Sequence, residues 1–574
     1  MMRKDGTPLK SRYLGGHVEK TTMPNGAFVN KIMADSYTKR KEAKRTKIGK
    51  RITVLQNFSL ENSVFIEGET SVIVWDTGSN MGIGKRKYQV LRELTNKPVR
   101  AVIYSHSHYT NGTRAFIPKG EEGESIEVIA HPDVHKNNMN SGIELAPAFY
   151  RNIAQHFGLY LPKTGPDSPP ISFEGSKDED KSSGYVKPTY EVRHGEEIII
   201  DGIKMQFFYS PSDTNDSLTL WLPDDDAVIT NSILSSFPNM YTLRGQPYRD
   251  PTMWIKGIDR IREINPNYLI PEHGEVMTNR EDSYELATVY RDALAFIYSQ
   301  TIRGINNGLK PDEIADAIQL PNYLALHPRL GETYLEVKHH IKGVYNGLIG
   351  WFSLDAADIN PCSSNVRSKK LIDGFGGIQE VIASAKQSLE QKEFAWVAEL
   401  MTYVLNVEPD NPEAKSLKAG ALREMAYVTP ALSSRNFYLT QALALEGKID
   451  VNETPSGFSI VDETRMEDLP IEPLIKVLPF RINPKKAAVM EKKIMINLND
   501  KKDSYSVHIR KGVAEVLPEA TENADFSITL SSSNWLKYIF GKTTIASLAN
   551  ERVIEVKGGT TKELIEIFDV FEIY

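Results

Sequence analysis

The chain has 574 residues, a single cysteine and a formal net charge of −7. That length is too great for one core and, at about 150 residues per domain, asks for three or four units. The acidic balance excludes nucleic acid as the main partner, because a phosphate-binding face shows as a net basic domain, and the lone Cys362 excludes an internal disulfide framework and points to a reducing compartment.

Met1 to Gly16 carries charge but no apolar stretch, so no secretory signal is visible and a cytoplasmic location is expected. No run of roughly eighteen apolar residues occurs, so no transmembrane segment is expected. Residues 1–50 are polar and basic, closing in Lys39, Arg40, Lys41, Lys44, Arg45, Lys47 and Lys50. They read as a solvated arm packed on a partner subunit, the alternative being a contact with an anionic surface. From Arg51 the pattern changes to short β-branched runs: Ile52 to Leu55, Val64 to Ile66 and Val72 to Trp75. The third ends in Asp76-Thr77-Gly78. A helix follows, with Tyr88, Leu91 and Leu94 at helical spacing, and then a buried strand, Ala101 to Tyr104. Strand, helix and strand predict an α/β layer. Further strands are expected near 128–130, 197–200, 205–209, 218–222 and 227–230. Residues 160–192, rich in Pro, Gly, Ser and charge, read as either a lid or a disordered loop.

The run from Tyr284 to Asn307 has Leu286, Val289, Tyr290, Ala293, Phe296, Ile297 and Ile302 on one broad apolar face, and helical patterns continue to about Leu445. Residues 378–419 look like paired antiparallel helices of tetratricopeptide type, without a regular repeat. Beyond Gly447 the pattern is mixed. Strands are expected at Lys493 to Leu498 and Tyr505 to Ile509, helices at Asn534 to Phe540 and Thr561 to Phe571. Leu564, Ile567, Phe568 and Phe571 of the terminal helix read as core.

The chemistry starts at His106-Ser107-His108, just past a buried strand. Two imidazoles at i and i+2 converge on one ion in metal sites, although such a pair is also a common hydrogen-bonded structural element. Two further segments favour the metal. Ser210-Pro211-Ser212-Asp213-Thr214-Asn215-Asp216 leads into a strand, and Tyr268-Leu269-Ile270-Pro271-Glu272-His273-Gly274 places another histidine at a strand end. A strand ending in a ligand-type residue, repeated in this order, is the metallo-β-lactamase pattern.

The resemblance narrows on Tyr241-Thr242-Leu243-Arg244-Gly245 with Arg249-Asp250-Pro251, Tyr290-Arg291-Asp292 with Gln300-Thr301, Gly350-Trp351-Phe352, Phe394-Ala395-Trp396-Val397-Ala398-Glu399, and Arg435-Asn436-Phe437-Tyr438-Leu439. Together these make the chain resemble the linear alkylsulfatases over about residues 50–574. The resemblance implies an α/β metallo-β-lactamase αββα sandwich, an all-α helical dimerisation domain and a sterol-carrier-like α+β C-terminal domain. The corresponding boundaries are an arm at 1–50, then 51–280, 281–445 and 446–574. It also implies a homodimer, an anionic or amphiphilic small-molecule substrate, and hydrolysis of sulfate monoesters at a two-zinc site.

This sequence departs from the family at that site. The family motif His-x-His-x-Asp-His reads here His106-Ser107-His108-Tyr109-Thr110-Asn111. Ser232 stands where the family bridges its metals with a carboxylate. His106, His108 and Asp213 keep one full ligand set; Thr110, Asn111 and Ser232 leave the second degenerate, with His273 alone. Neutral side chains hold a divalent ion poorly. The expectation is therefore one divalent metal, zinc first and iron second, with His273 as general base or acid or else a structural histidine. In the resembling family an asparagine and an arginine grip the sulfate at the positions of Asn239 and Arg244; Arg244 pairing with Asp250 is the structural alternative. The leading reading is a metal-dependent hydrolase of an alkyl sulfate or related anionic ester. The alternatives are a mononuclear two-His, one-Asp iron enzyme doing oxygen chemistry, and a non-catalytic amphiphile-binding scaffold.

Overall fold

The computed structural model describes residues 18–38, 42–118, 120, 123, 125–140, 144–171, 180–234, 236–453, 455, 471–517 and 523–573. Lys39, Arg40 and Lys41 of the basic arm, with residues 1–17, lie outside the described residues, as do 172–179 of the expected lid or loop. The chain divides into two compact units: 1–135 with 151–458, and 136–150 with 459–574.

In the first unit a short hairpin, β1 (Lys20–Thr22) and β2 (Phe28–Asn30), precedes two sheets. The first sheet runs in chain order from β3 to β9: β3 (Lys44–Ile48), β4 (Ile52–Gln56), β5 (Ser63–Glu67), β6 (Val72–Trp75), β7 (Val99–Ile103), β8 (Glu127–Ala130) and β9 (Tyr190–Glu191). It is antiparallel up to β6 and parallel from β6 to β9. The second holds β10 (Glu197–Ile200), β11 (Ile203–Tyr209), β12 (Leu218–Leu222), β13 (Ala227–Thr230) and β14 (Tyr268–Pro271), with only the β13–β14 pair parallel.

Strand periodicity explains the layering. Val54, Val64, Ile73, Trp75 and Ile103 meet Met205, Phe207, Leu220, Ile229 and Ile270 in one core between the sheets. The alternate residues Leu55, Phe65, Val74, Val102 and Val128 pack outward with Val90 and Leu91 of helix Met81–Leu94. On the far side Val228 and Leu269 pack with Trp254, Ile258 and Ile261 of helix Pro251–Ile264. Helix, sheet, sheet and helix thus form the expected αββα sandwich. Both β6 and β7 are buried throughout or nearly so, which is why they read as continuous apolar runs.

The basic arm is more structured than its composition suggests. From Lys44 to Ile48 it adds an edge strand, its charges facing solvent; Lys44 pairs with Glu275 at 2.6 Å and Arg45 with Glu93 at 2.5 Å. Further upstream Met33, Ala34 and Tyr37 of helix Lys31–Thr38 are buried with Leu432. The described parts of the 160–192 stretch are also tied down. Arg435 donates to Pro166 O (2.9 Å), Met81 N to Ser182 O (2.9 Å) and Gly82 N to Asp180 O (2.7 Å).

Helix Arg280–Asn306 shares a core with helices Pro251–Ile264 and Val337–Ile349 through Leu286, Tyr290, Ala293, Ile341 and Val344. Helices Ile378–Glu390, Phe394–Val407 and Pro412–Val428 bury Val381, Leu400 and Leu422 together.

The second unit is built on a five-stranded sheet. Its strands are β15 (Glu491–Leu498), β16 (Asp503–Arg510), β17 (Val513–Leu517), β18 (Phe526–Leu530) and β19 (Glu555–Lys557), ordered β17-β16-β15-β18-β19. Leu564, Ile567, Phe568 and Phe571 lie in its core, as their spacing predicts. The terminal helix stops at Phe568, and Phe571 instead bridges to Ile482.

Candidate metal centre

Neighbouring strand ends from both sheets supply the site. The chain leaves β7 and runs through Tyr104 and Ser105 into a short 3-10 turn, Ser107–Tyr109, which presents His106 and His108 from one corner. Asp76, at the end of β6 with φ 52, accepts from Ser105 N at 2.9 Å and holds that corner. Asp213 comes from the β11–β12 loop, Asn231 and Ser232 follow β13, and His273 follows β14.

His106, His108 and Asp213 converge, with one ligand atom of each within 4.8 Å of the others. His106 Nε2 lies 2.9 Å from His108 Nδ1, and His108 Nδ1 lies 3.5 Å from Asp213 Oδ2. The outer atoms are oriented too: Ser105 Oγ is 2.6 Å from His106 Nδ1, and Asn231 Nδ2 donates to Asp213 Oδ1 at 2.7 Å. Burial, with His106 beside it, pushes the His108 imidazole well below its ordinary pKa, leaving a neutral ring with a free lone pair. Burial would raise the Asp213 carboxyl, but the two imidazoles, Arg249 and the Asn231 hydrogen bond reverse this and keep it ionised. Two imidazoles and one carboxylate turned toward a common point fit a divalent ion.

The residues of the expected second set are engaged elsewhere. Asn111 Oδ1 accepts from Ser183 Oγ (2.9 Å), and its Nδ2 donates to Ser79 O (3.3 Å). Thr110 is buried and bridges to Gly78. The Ser232 hydroxyl donates to Ser210 O at 3.4 Å. His273 lies outside the three-residue cluster. Its Nδ1 sits 2.8 Å from Leu60 O, which makes Nδ1 the protonated nitrogen, and its Nε2 lies 3.5 Å from Tyr109 Oη. Tyr109 packs edge-on against His106, His108 and His273, with ring centroids 5.2, 6.1 and 5.8 Å away.

Two arginines, Arg244 and Arg249, lie close enough to the metal ligands to act electrostatically on His108. Asp250 is taken up as the cap of helix Pro251–Ile264, its Oδ1 accepting from Thr252 N and Oγ1, both at 2.8 Å. Arg244 lies over the Phe157 ring at 6.0 Å. Arg249, which sequence reasoning passed over, is 5 % exposed and donates from Nη1 to Asn239 O. Among the described residues its Nε and Nη2 are buried without a hydrogen-bond partner, as are Asn239 Oδ1, Thr242 Oγ1 and His340 Nε2. Burial lowers the Arg249 guanidinium to about 10, so it stays charged. Its place five residues beyond Arg244 in a quoted family stretch was the available signal.

Face-to-face sheets with a metal-ligand set at their strand ends define a metallo-β-lactamase-fold protein, and residues 57–109 match that superfamily. Residues 310–448 match the alkyl sulfatase dimerisation family and 460–573 the alkyl sulfatase C-terminal family. A linear primary-alkylsulfatase of Pseudomonas sp. is 28% identical over 86% of this chain and 95% of its own length. An alkyl/aryl-sulfatase of Saccharomyces cerevisiae is 25% identical over 92% of this chain and 82% of its own. In fold the chain is similar to the stereoselective inverting sec-alkylsulfatase of Pseudomonas sp., with a TM-score of 0.83 and 19% identity over 100% of this chain and 91% of that one. The chain thus carries the alkyl sulfatase dimerisation and C-terminal domains and is similar to alkylsulfatases over most of its length.

Proposed function

We propose that this protein hydrolyses an alkyl sulfate ester at a centre holding one divalent ion, zinc first, on His106, His108 and Asp213. The observation that supports it is this ligand set standing beside a buried arginine that has unpartnered donors. A divalent ion there would supply a water whose pKa falls to near neutrality. The chain's own residues do the rest. Arg244 and Arg249 offer guanidinium N–H groups to the sulfuryl oxygens, and two parallel donors suit a tetrahedral oxyanion. Asn239 is held beside Arg249, its carbonyl accepting from Nη1. Leaving buried donors unsatisfied costs about 1–3 kcal/mol each, a cost that a bound oxyanion removes. Asn231 and Ser105 keep Asp213 and His106 in place. Burial holds the Tyr109 phenol protonated, and His273 orients it from behind. The family relationship favours hydrolysis over oxygen chemistry at iron and over a non-catalytic scaffold. The dimerisation-family match supports a homodimer.

The test is release of inorganic sulfate from octyl sulfate by protein carrying its native metal, with the metal identified by elemental analysis. Stoichiometric sulfate and octanol are expected. An inert protein with a full metal site would overturn the reading.

A further inference from the structure

His156 ends helix Ala146–His156 and is fully buried. Among the described residues neither of its ring nitrogens has a hydrogen-bond partner. A histidine serving only the fold ordinarily bonds through at least one nitrogen. The ring is instead walled by aromatics, Phe157 at 4.8 Å and Tyr334 at 5.0 Å between centroids. Its backbone is fixed, because Asn436 Nδ2 donates to His156 O at 2.9 Å.

The polar surroundings belong to the proposed anion site. One turn earlier on the same helix, Asn152 Nδ2 donates to Arg244 O at 3.3 Å, and the next residue, Phe157, underlies the Arg244 guanidinium. Thus Asn152 and Phe157, on either side of His156 in the chain, both contact Arg244. The charges that act on His156 are Arg244 and then Arg249; after burial itself, these push its pKa well down. The imidazole is therefore neutral, with one N–H to donate and one lone pair. Two arginines repel a protonated ring but attract an anion that all three groups can share.

We propose that His156 is a further oxyanion-contacting residue, donating its ring N–H to a sulfuryl oxygen held by Arg244 and Arg249. This rests on the reading of Arg244 and Arg249 as the sulfate site. The ligand class is a monoanionic sulfate ester, or inorganic sulfate as product. A neutral donor there adds a directed hydrogen bond without a further buried charge. The role is binding, so the residue acts on affinity more than on turnover.

The experiment uses the full-length, metal-loaded protein, with inorganic sulfate as the probe in thermal-shift titrations and octyl sulfate as substrate. His156→Phe keeps a ring of similar size and removes both nitrogens. It is expected to melt at or above the wild-type temperature without sulfate, because a buried unpartnered polar group is gone. The sulfate midpoint and KM should rise about tenfold, the loss of one useful hydrogen bond, with kcat nearly unchanged. His156→Gln restores a neutral N–H and should recover most of the affinity. If His156→Phe fails to fold, His156→Leu against His156→Gln makes the same comparison. Equal sulfate midpoints in wild type and His156→Phe would overturn the inference alone, as would a fall in kcat at constant KM. A wild type that neither responds to sulfate nor hydrolyses the ester would overturn the sulfate-site reading and this inference with it.

Discussion

Ser183 Oγ donates a hydrogen bond to Asn111 Oδ1 at 2.9 Å, and Gly184 N donates to Asn111 O at 2.7 Å. Asn111 is a position read from the sequence as part of a degenerate second metal site. The Asn111 side chain and backbone carbonyl together fasten residues 183–184 to the loop that bears His106 and His108.

One tightly bound transition-metal ion per chain is therefore expected, on His106, His108 and Asp213. Asp213→Ala should remove metal and activity together. Thr110→Asp with Asn111→His should raise the stoichiometry only when Ser232→Asp is added, because two of the three changes still leave the second ion short of charge. Elemental analysis of protein purified without added metal or chelator is the check; two full equivalents in the unaltered chain would refute the expectation.

Asn231 Nδ2 donates a hydrogen bond to Asp213 Oδ1 at 2.7 Å. Asn231→Leu should loosen the carboxylate and weaken metal affinity by roughly 10–100-fold, the usual range for such supporting contacts. Competition with a chelator measures it. Unchanged metal affinity would mean that Asp213 is oriented by the loop alone.

Arg244→Ala should weaken anion binding by about 2–3 kcal/mol, the loss of a charge-assisted and bidentate contact. The effect should fall on KM and on inhibition by sulfate. A lower melting temperature with unaltered kinetics would assign Arg244 a structural role.

Acid sensitivity should be traceable to one ion pair. Arg423 donates Nη1 and Nη2 to the two oxygens of Glu446, at 2.7 and 3.0 Å. These bonds pull the Glu446 carboxyl from 4.5 down to about 2. A depressed carboxylate stabilises the fold fully above its unfolded pKa, and the contribution is lost as pH falls from about 4.5 toward 2. Glu446→Gln should melt below wild type at pH 7, and the gap should narrow below pH 4.5. A gap constant from pH 7 to pH 3 would refute the linkage.

Light scattering at micromolar concentration should return the mass of two chains, with the contact in residues 281–445. Leu326 and Trp351 of that segment are 76% and 73% exposed, apolar surface of the kind a subunit interface covers. Charged substitutions at both should yield monomers. A single-chain mass for the unaltered protein would refute the dimer.

The sequence by itself determined the layers and the residues that cluster as candidate ligands. Buried strands such as Val72–Trp75 and amphipathic helices such as Arg280–Asn306 carry their burial in a local period, and His106-x-His108 converges because two residues span one short turn. Tertiary structure decided what local pattern does not encode. The basic stretch Lys44–Ile48 is a strand because an edge position lets its charges face water while its backbone pairs with β4. Asn111 meets Ser183 across 72 residues, and Asn436 fixes His156 across 280. Such contacts depend on how whole elements pack. So does the burial of Arg249 and His156, each with nitrogens that find no hydrogen-bond partner among the described residues, since an isolated arginine or histidine in sequence looks the same whether water or a sealed interior surrounds it.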